Sequence, residues 1–419
     1  MHVNRRHFMA TAAALGASTL EAEDSFARDI PTVRAKAAGF DSDRLKRIPL
    51  ALQRRVDAGE APGFLAAVMR DSKLVSFDAV GYRDIAAKTP MTRDTIFRIM
   101  SMTKPIVSVA AIMLVEENKL RLSDPVAALI PAFAKAQVYV SGEGDAMVLA
   151  PAKRQVQIRN LLMHTAGYSY GQGAHPVAKL HAARNVGTSS FASLGEFCNA
   201  AAALPLLFEP GTQWQYGIST DILGHVVELA SGQSLPDVLR TRIFEPLGMV
   251  DTAFHVAADK VRRFANCYTR KPEGLVVSDA AATSQFLKPP PAPSGGGGLT
   301  STVDDYLQFA AMLSNQGEHN GVRLLGPETV RMMRANHLPK AYMATRDPGF
   351  GLGFGVDMEP GSRNYYGGAG TFHWSGANCT HFWVDPTNRI AGVLMTQMEP
   401  FNNLFEDDIR ALTYQAFLG

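Results

Sequence analysis

Phe97-Arg98-Ile99-Met100-Ser101-Met102-Thr103-Lys104-Pro105 is the stretch on which the reading of this chain turns. A short apolar approach leads into a Ser-x-x-Lys step. From Ser101 onward Ile106, Val109, Ile112, Met113 and Val115 keep helical spacing, which predicts a helix that opens at the serine and sets Ser101 and Lys104 one turn apart on one face. That pairing has a chemical use. A serine hydroxyl is a weak nucleophile at neutral pH and needs a base beside it; a lysine in a dry pocket gives up its proton more readily and can serve or support that role. A helix start also offers backbone N–H groups and the positive end of the helix dipole where negative charge develops in acyl transfer. The plain alternative is a capping serine and a solvated lysine, so the motif needs company before it counts as a site.

Working outward, Phe64 to Met69 and Leu74 to Val80 read as two strands around the turn Asp71-Ser72, and a helix opening at Ser42-Asp43 and ending near Gly59 precedes them. Thr95 to Ile99 reads as an extended lead into Ser101. Beyond Pro125 the chain to about Lys288 is mostly helical patterns, among them Val156 to His164, Leu194 to Leu204, Thr220 to Ser231 with Gly232 as its stop, and Leu235 to Phe244. The run Lys288-Pro289-Pro290-Pro291-Ala292-Pro293-Ser294-Gly295-Gly296-Gly297-Gly298 is the sharpest composition change, read here as a loop packed at a junction. After a helix over Val303 to Leu313, strands are predicted at Gly351 to Met358, Phe372 to Val384 and Ile390 to Gln397, then a helix from Asn403 to Phe417. Strands at both chain ends with helices around them make an α/β architecture.

Composition narrows the function. With 419 residues, 19% charged and a net charge of +2, the chain is an ordinary globular protein without the basic stripe that nucleic acid requires. Cys198, Cys267 and Cys379 lie far apart and no His-Glu-x-x-His spacing occurs, so neither a disulfide framework nor a metal site is expected. No apolar run is long enough to span a bilayer. Asn4-Arg5-Arg6-His7-Phe8-Met9 and the Ala-rich run after it resemble a twin-arginine export leader over residues 1–27, which predicts a periplasmic or exported protein; read as a plain basic N-terminus, the same stretch predicts a cytoplasmic one.

Two further stretches give Ser101 company. Pro210-Gly211-Thr212-Gln213-Trp214-Gln215-Tyr216 places a tyrosine after a tight turn and just before a helix; a phenol beside an ammonium group can work as a base. Gly370-Thr371-Phe372-His373-Trp374-Ser375-Gly376-Ala377 puts small residues on a strand, where a ligand carbonyl can come close to the backbone.

In order along the chain, Ser101-Met102-Thr103-Lys104, Leu161-Leu162-Met163-His164-Thr165-Ala166-Gly167, Tyr216, Phe244-Glu245-Pro246-Leu247-Gly248-Met249, Ser294-Gly295-Gly296-Gly297-Gly298-Leu299 and Trp374-Ser375-Gly376 resemble the serine β-lactamase and penicillin-binding superfamily. The likeness is strongest to its class C branch and, within that, to the family VIII carboxylesterases. The resemblance implies a β-lactamase-like fold: residues 28–125 and 295–419 form an α/β domain with an antiparallel sheet, and 126–294 an inserted, mainly helical domain. It implies Ser101 as the acylated nucleophile, Lys104 and Tyr216 as the base system, and the backbone N–H groups of Ser101 and Ala377 as the oxyanion hole. Trp374, Ser375, Gly376 and Ile218 would line the substrate site, and no cofactor is called for.

Two departures bear on the substrate. Penicillin-processing relatives carry Tyr-x-Asn and Lys-Thr-Gly; here Ile218 stands for the asparagine and Trp374 for the lysine. An aliphatic chain and an indole suit neutral, apolar acyl groups, which points to short-chain esters as small-molecule substrates. A β-lactamase or D-amino-acid peptidase, an acyltransferase, and a sensor that is acylated without turning over are the alternatives. Arg346 and Arg363 are cations that could replace the missing charge. Gly167-Tyr168-Ser169-Tyr170-Gly171 spells the G-x-S-x-G of a nucleophile elbow, but it follows a helical run instead of a strand, so Ser169 is read as a loop residue.

Overall fold

The computed structural model describes residues 30–184, 187–338, 349–359 and 366–419. The leader expected over residues 1–27, and Arg346 and Arg363, lie outside them. The chain builds an eight-stranded antiparallel sheet from β1 (Gly63–Arg70), β2 (Lys73–Asp84), β3 (Thr89–Pro90), β4 (Gly349–Phe350), β5 (Gly355–Val356), β6 (Phe372–Gly376), β7 (Thr380–Asp385) and β8 (Ile390–Met395). Its order is β4-β5-β6-β7-β8-β1-β2-β3. The two chain ends meet where β1 pairs with β8, Leu65 opposite Met395 and Arg70 opposite Ile390. The turn from β1 to β2 places Asp71 and Ser72 at φ of 51° and 58°, the left-handed pair that a two-residue hairpin connection needs.

β1 shows why this strand is a nearly continuous apolar run. Its side chains alternate between faces, and both faces are covered. Leu65, Ala67 and Met69 enter one core, beneath α2 (Thr103–Glu116) and α4 (Val303–Ser314). Phe64, Ala66 and Val68 enter a second core, against α1 (Arg47–Asp57) and α5 (Leu404–Ala416), where Phe64 meets Phe405 edge-on with ring centres 5.0 Å apart. α2 is buried from Thr103 through Leu114, so it is a central helix with no solvent face, as its almost unbroken apolar sequence requires.

Several elements differ from their sequence expectation. The segment Phe372 to Val384 is two strands, with a turn at residues 377–379 in which Cys379 has φ 60°. The helix expected from Ser42 to Gly59 breaks at Lys46, and strand structure between Gly351 and Met358 is confined to Gly355–Val356. Leu235–Leu239 gives way to a wider π turn over Arg240–Phe244, just before Pro246. The middle of the chain also holds two hairpins that its helical patterns hid: Gln137–Ser141 with Val148–Pro151, and Cys267–Lys271 with Gly274–Asp279. Of the Pro/Gly run, Ala292, Pro293, Gly295 and Gly296 are buried, whereas Lys288, Pro289 and Pro291 stay exposed.

Candidate active site

Ser101 lies in a single 3-10 turn, Met100–Met102, that runs into α2 at Thr103. Met100 has φ 45°, a left-handed conformation that a non-glycine side chain resists, so the turn is held by its surroundings. Those surroundings are visible. Phe97 and Arg98 pair with Ser301 and Thr300, the Ile99 N–H donates to the Leu299 carbonyl at 3.1 Å, and the Leu299 N–H donates to Thr103 Oγ1 at 3.1 Å. Below the turn the buried Arg98 guanidinium bonds Asp279 at 2.6 Å and the Ala265 carbonyl at 2.7 Å.

Tyr216 reaches Ser101 from the loop before α3 (Ser219–Ser231). Its hydroxyl lies 2.7 Å from Ser101 Oγ, and Lys104 Nζ lies 3.1 Å from the same oxygen. Lys104 is 1% exposed, donates to the Gly296 carbonyl at 2.6 Å, and sits 4.6 Å from the centre of the Tyr216 ring. The serine oxygen is therefore shared by a phenol and an amine, the arrangement that lets one proton pass among three groups. The chain after Tyr216 must run hard against residues 168–169: a Cβ on Gly217 would lie 2.4 Å from the Tyr168 carbonyl oxygen.

Asp221 is a residue of the site that the sequence reading missed. It lies in the first turn of α3, is 3% exposed, and accepts hydrogen bonds from the Gly296 N–H at 3.0 Å, the Ser294 hydroxyl and the Tyr170 hydroxyl at 3.3 Å. One carboxylate thus fixes the glycine whose carbonyl holds Lys104. Burial, with the neighbouring Asp221 charge next, pushes the Tyr170 phenol far up, so it stays a donor. The available signal was an acid in a helix turn otherwise followed by Ile222, Leu223, Val226 and Val227; helix-dipole reasoning alone explains such an acid, which is why it passed unnoticed.

Around Tyr216 stands an aromatic cage: His164 at 4.8 Å between ring centres, Trp374 at 5.4 Å, Tyr170 at 5.5 Å and Trp214 at 6.1 Å, with Phe350 packed on Trp374 at 5.3 Å. The residues come from five separated stretches, and only Tyr216 and Trp374 were expected together.

The end of β6 adjoins the nucleophile turn. A Cβ on Gly376 would lie 2.3 Å from the Ile99 carbonyl oxygen, and Thr380 Oγ1 donates to that carbonyl at 3.2 Å. The glycine therefore serves the approach of this chain's own backbone, and it sets residues 376–377 beside Ser101. Ser375 corrects the sequence expectation. Alternation along β6 turns its hydroxyl to the opposite face of the sheet, where it bonds His381 Nδ1 at 2.9 Å and Glu406 at 3.2 Å. Ile218 is 1% exposed and belongs to the main core, which leaves Trp374 as the apolar member of the pair at the site. Ser169 is also buried, its hydroxyl accepting from the Gly171 N–H at 3.0 Å. Among the described residues no group of three His, Cys, Asp or Glu is placed to hold a metal ion, and no helix is long and apolar enough to cross a membrane.

The family model described as Beta-lactamase matches residues 50–417. Protein Rv1367c of Mycobacterium tuberculosis (strain ATCC 25618 / H37Rv) is 38% identical over 343 residues, 79% of this chain and 84% of that protein. Esterase EstB of Burkholderia gladioli is 31% identical over 354 residues, 80% of this chain and 85% of that one. Among solved structures, EstCE1, described as a hydrolase with promiscuous acyltransferase activity, superposes with a TM-score of 0.76 at 27% identity, covering 89% of this chain and 99% of its own.

Proposed function

Since the chain belongs to the Beta-lactamase family, we propose that it is a serine hydrolase of the family VIII type, cleaving carboxylic esters through an acyl-Ser101 intermediate. The observation that carries the reading is the convergence of Lys104 Nζ and the Tyr216 hydroxyl on Ser101 Oγ, at 3.1 and 2.7 Å. The serine proton passes to this pair as Oγ attacks the ester carbonyl, and the oxyanion forms between the backbone N–H groups of Ser101 and Ala377. The alcohol leaves with the proton returned through Tyr216. Water then enters, loses a proton to the same pair, and releases the acid.

Trp374 favours esters over β-lactams. A β-lactam brings a carboxylate that must shed water on entry, and an indole offers it no charge; a poorly paired polar group costs about 1–3 kcal/mol and a charge more. An ester needs only the oxyanion donors and an apolar wall. The likeness to EstCE1 makes acyl transfer to an added alcohol the second reading of the same intermediate.

The test is turnover of nitrophenyl esters beside nitrocefin, with a fluorophosphonate label mapped to its peptide. Esters should exceed nitrocefin by at least ~10²-fold in kcat/KM, the range available when a buried polar group is left unpaired. Label should fall on Ser101, Ser101→Ala should be inactive, and Ser169→Ala should keep its activity. Label on Ser169, or cephalosporin turnover matching ester turnover, would reject the proposal.

A further inference from the structure

We propose that a polar cavity on the far side of the aromatic cage is a binding site for a small, multiply charged organic anion. The cavity has a volume of about 600 Å³, the size of a small-molecule pocket. It is walled by the short helix Ile158–Leu162 and the loop before it, by the Pro210-Gly211 turn and by His337. Met163 and Thr165 line it, while His164 between them packs its ring on Tyr216, so this stretch of backbone divides the cavity from the reacting groups. Neither Ser101, Lys104, Tyr216 nor Trp374 lines it. The cavity therefore stands apart from the ester site.

The chemistry of the walls selects the charge. Asn160 and Thr165, at the floor, are 6% and 2% exposed. Asn160 Oδ1 accepts from the Gln157 N–H at 2.9 Å, which fixes the orientation of the amide, and its Nδ2 donates to Thr165 Oγ1 at 3.1 Å. The second Nδ2 proton and the Thr165 hydroxyl proton then have no acceptor among the described residues, which leaves two buried donors for a ligand. Towards solvent, Arg154 and Arg159 are exposed lining residues whose guanidinium groups make no ion pair or hydrogen bond among the described residues. A guanidinium fork matches the oxygens of a carboxylate or phosphate two at a time.

No Asp or Glu among the described residues lines the cavity. The two acids that neighbour lining residues in the chain are engaged elsewhere, Asp124 on the Arg121 N–H at 2.8 Å and Glu209 on the Lys153 N–H at 3.1 Å. Buried donors below and two unpaired cations above recognise oxygens that only accept and that carry more than one negative charge. A neutral ligand would leave both arginines unpaired.

Calorimetric titration with citrate and with inorganic phosphate, at fixed ionic strength, tests the site on the wild type, Arg154→Ala, Arg159→Ala and Lys153→Ala. All three replaced residues are exposed, so the core is left alone. Arg154 and Arg159 line the cavity, whereas Lys153 carries the same charge next door without lining it. The wild type should bind one anion per chain, and each arginine variant should bind it at least about tenfold more weakly, the scale of a hydrogen bond to a charged group. Lys153→Ala should stay within about twofold, since an exposed charge without contact is largely screened. Tighter binding of citrate assigns the site to polycarboxylates and of phosphate to phosphate esters, and either upholds the inference. Neither binding heat nor a raised melting temperature at millimolar anion overturns it. So does unchanged binding in both arginine variants, or an equal loss in all three variants, which would mean attraction to positive surface in general. Binding is read without ester turnover, so the result stands whichever way the nitrophenyl ester assay falls.

Discussion

Ser101 Oγ has an amine and a phenol within hydrogen-bond reach, and in the proposed mechanism the two together take the serine proton. Lys104 reaches it from α2, one helical turn on, while Tyr216 comes from a loop more than a hundred residues later. The phenol and the amine also face each other, at 4.6 Å from nitrogen to ring centre, so the proposed mechanism treats them as one unit. Lys104→Ala and Tyr216→Phe should each lower kcat by at least ~10²-fold, the usual scale for a positioned proton-transfer group. The double variant should fall little below the worse single one, since groups that work together are strongly non-additive. Multiplying losses in steady-state kinetics would mean that a third base exists. Ser-x-x-Lys was legible because both residues lie on one short helical face. Asp221 was not, because its partners Ser294 and Gly296 are far away in the chain.

The loop from Ser294 to Leu299 shows what a glycine run does when it is not a flexible linker. None of its four glycines adopts a positive φ; the requirement is space. A Cβ on Gly295 would lie 2.6 Å from the Thr220 carbonyl oxygen, and one on Gly296 would lie 2.4 Å from Asp221 Oδ2. On Gly297 the nearest heavy atom would be 3.8 Å away. Gly295→Ala and Gly296→Ala should therefore each cost roughly 1–3 kcal/mol through overpacking, and Gly296→Ala should also lower kcat by displacing the carbonyl that holds Lys104. Gly297→Ala should melt at or slightly above the wild-type temperature, as its unfolded chain is less free. Thermal unfolding of the three variants decides it, and equal melting temperatures would show that the loop yields. The same element logic explains β6: period two sends Trp374 toward Tyr216 and Ser375 away from it.

Across the whole molecule, the sheet separates the site from a buried ionic cluster on its other face. Glu406 of α5 lies 3.2 Å from His381, 3.8 Å from His373 and 3.4 Å from Arg410, and Arg410 also bonds Asp357 at 2.6 Å. Burial would raise the Glu406 carboxyl, but the His381 hydrogen bond and the charges of His373, His381 and Arg410 outweigh it and hold the group down at about 2, against 4.5 ordinarily. A depressed carboxyl stabilises the fold above its unfolded value and stops doing so as pH falls through its folded one. Glu406→Gln should thus cost about 3–5 kcal/mol at neutral pH, because it removes a buried carboxylate from beside the buried Arg410 guanidinium. The gap to wild type should close between about pH 4.5 and 2, as protonation makes the native carboxyl resemble an amide. Denaturant titrations across that range test this; a gap that does not narrow in acid would place the cluster's contribution elsewhere. Asp305 runs the other way. Burial lifts its carboxyl to about 7, so its effect on stability is a loss as pH rises toward neutrality.

Local pattern alone determined the helix at Ser101, the hairpin at Asp71-Ser72, the strands at both chain ends and the placing of Lys104 one turn from Ser101. These are readable because period 3.6, period 2 and turn chemistry are properties of neighbouring residues. The motif order further gave away Tyr216 and the family. What only the tertiary structure decided is everything that depends on which face meets which: the aromatic cage, Asp221 as the anchor of the glycine loop, and the polar cavity beside Met163 and Thr165. The outward turn of Ser375 and the burial of Ile218 belong with them. Each is set by contacts between segments tens to hundreds of residues apart, where close packing admits one arrangement and the one-dimensional pattern is compatible with several.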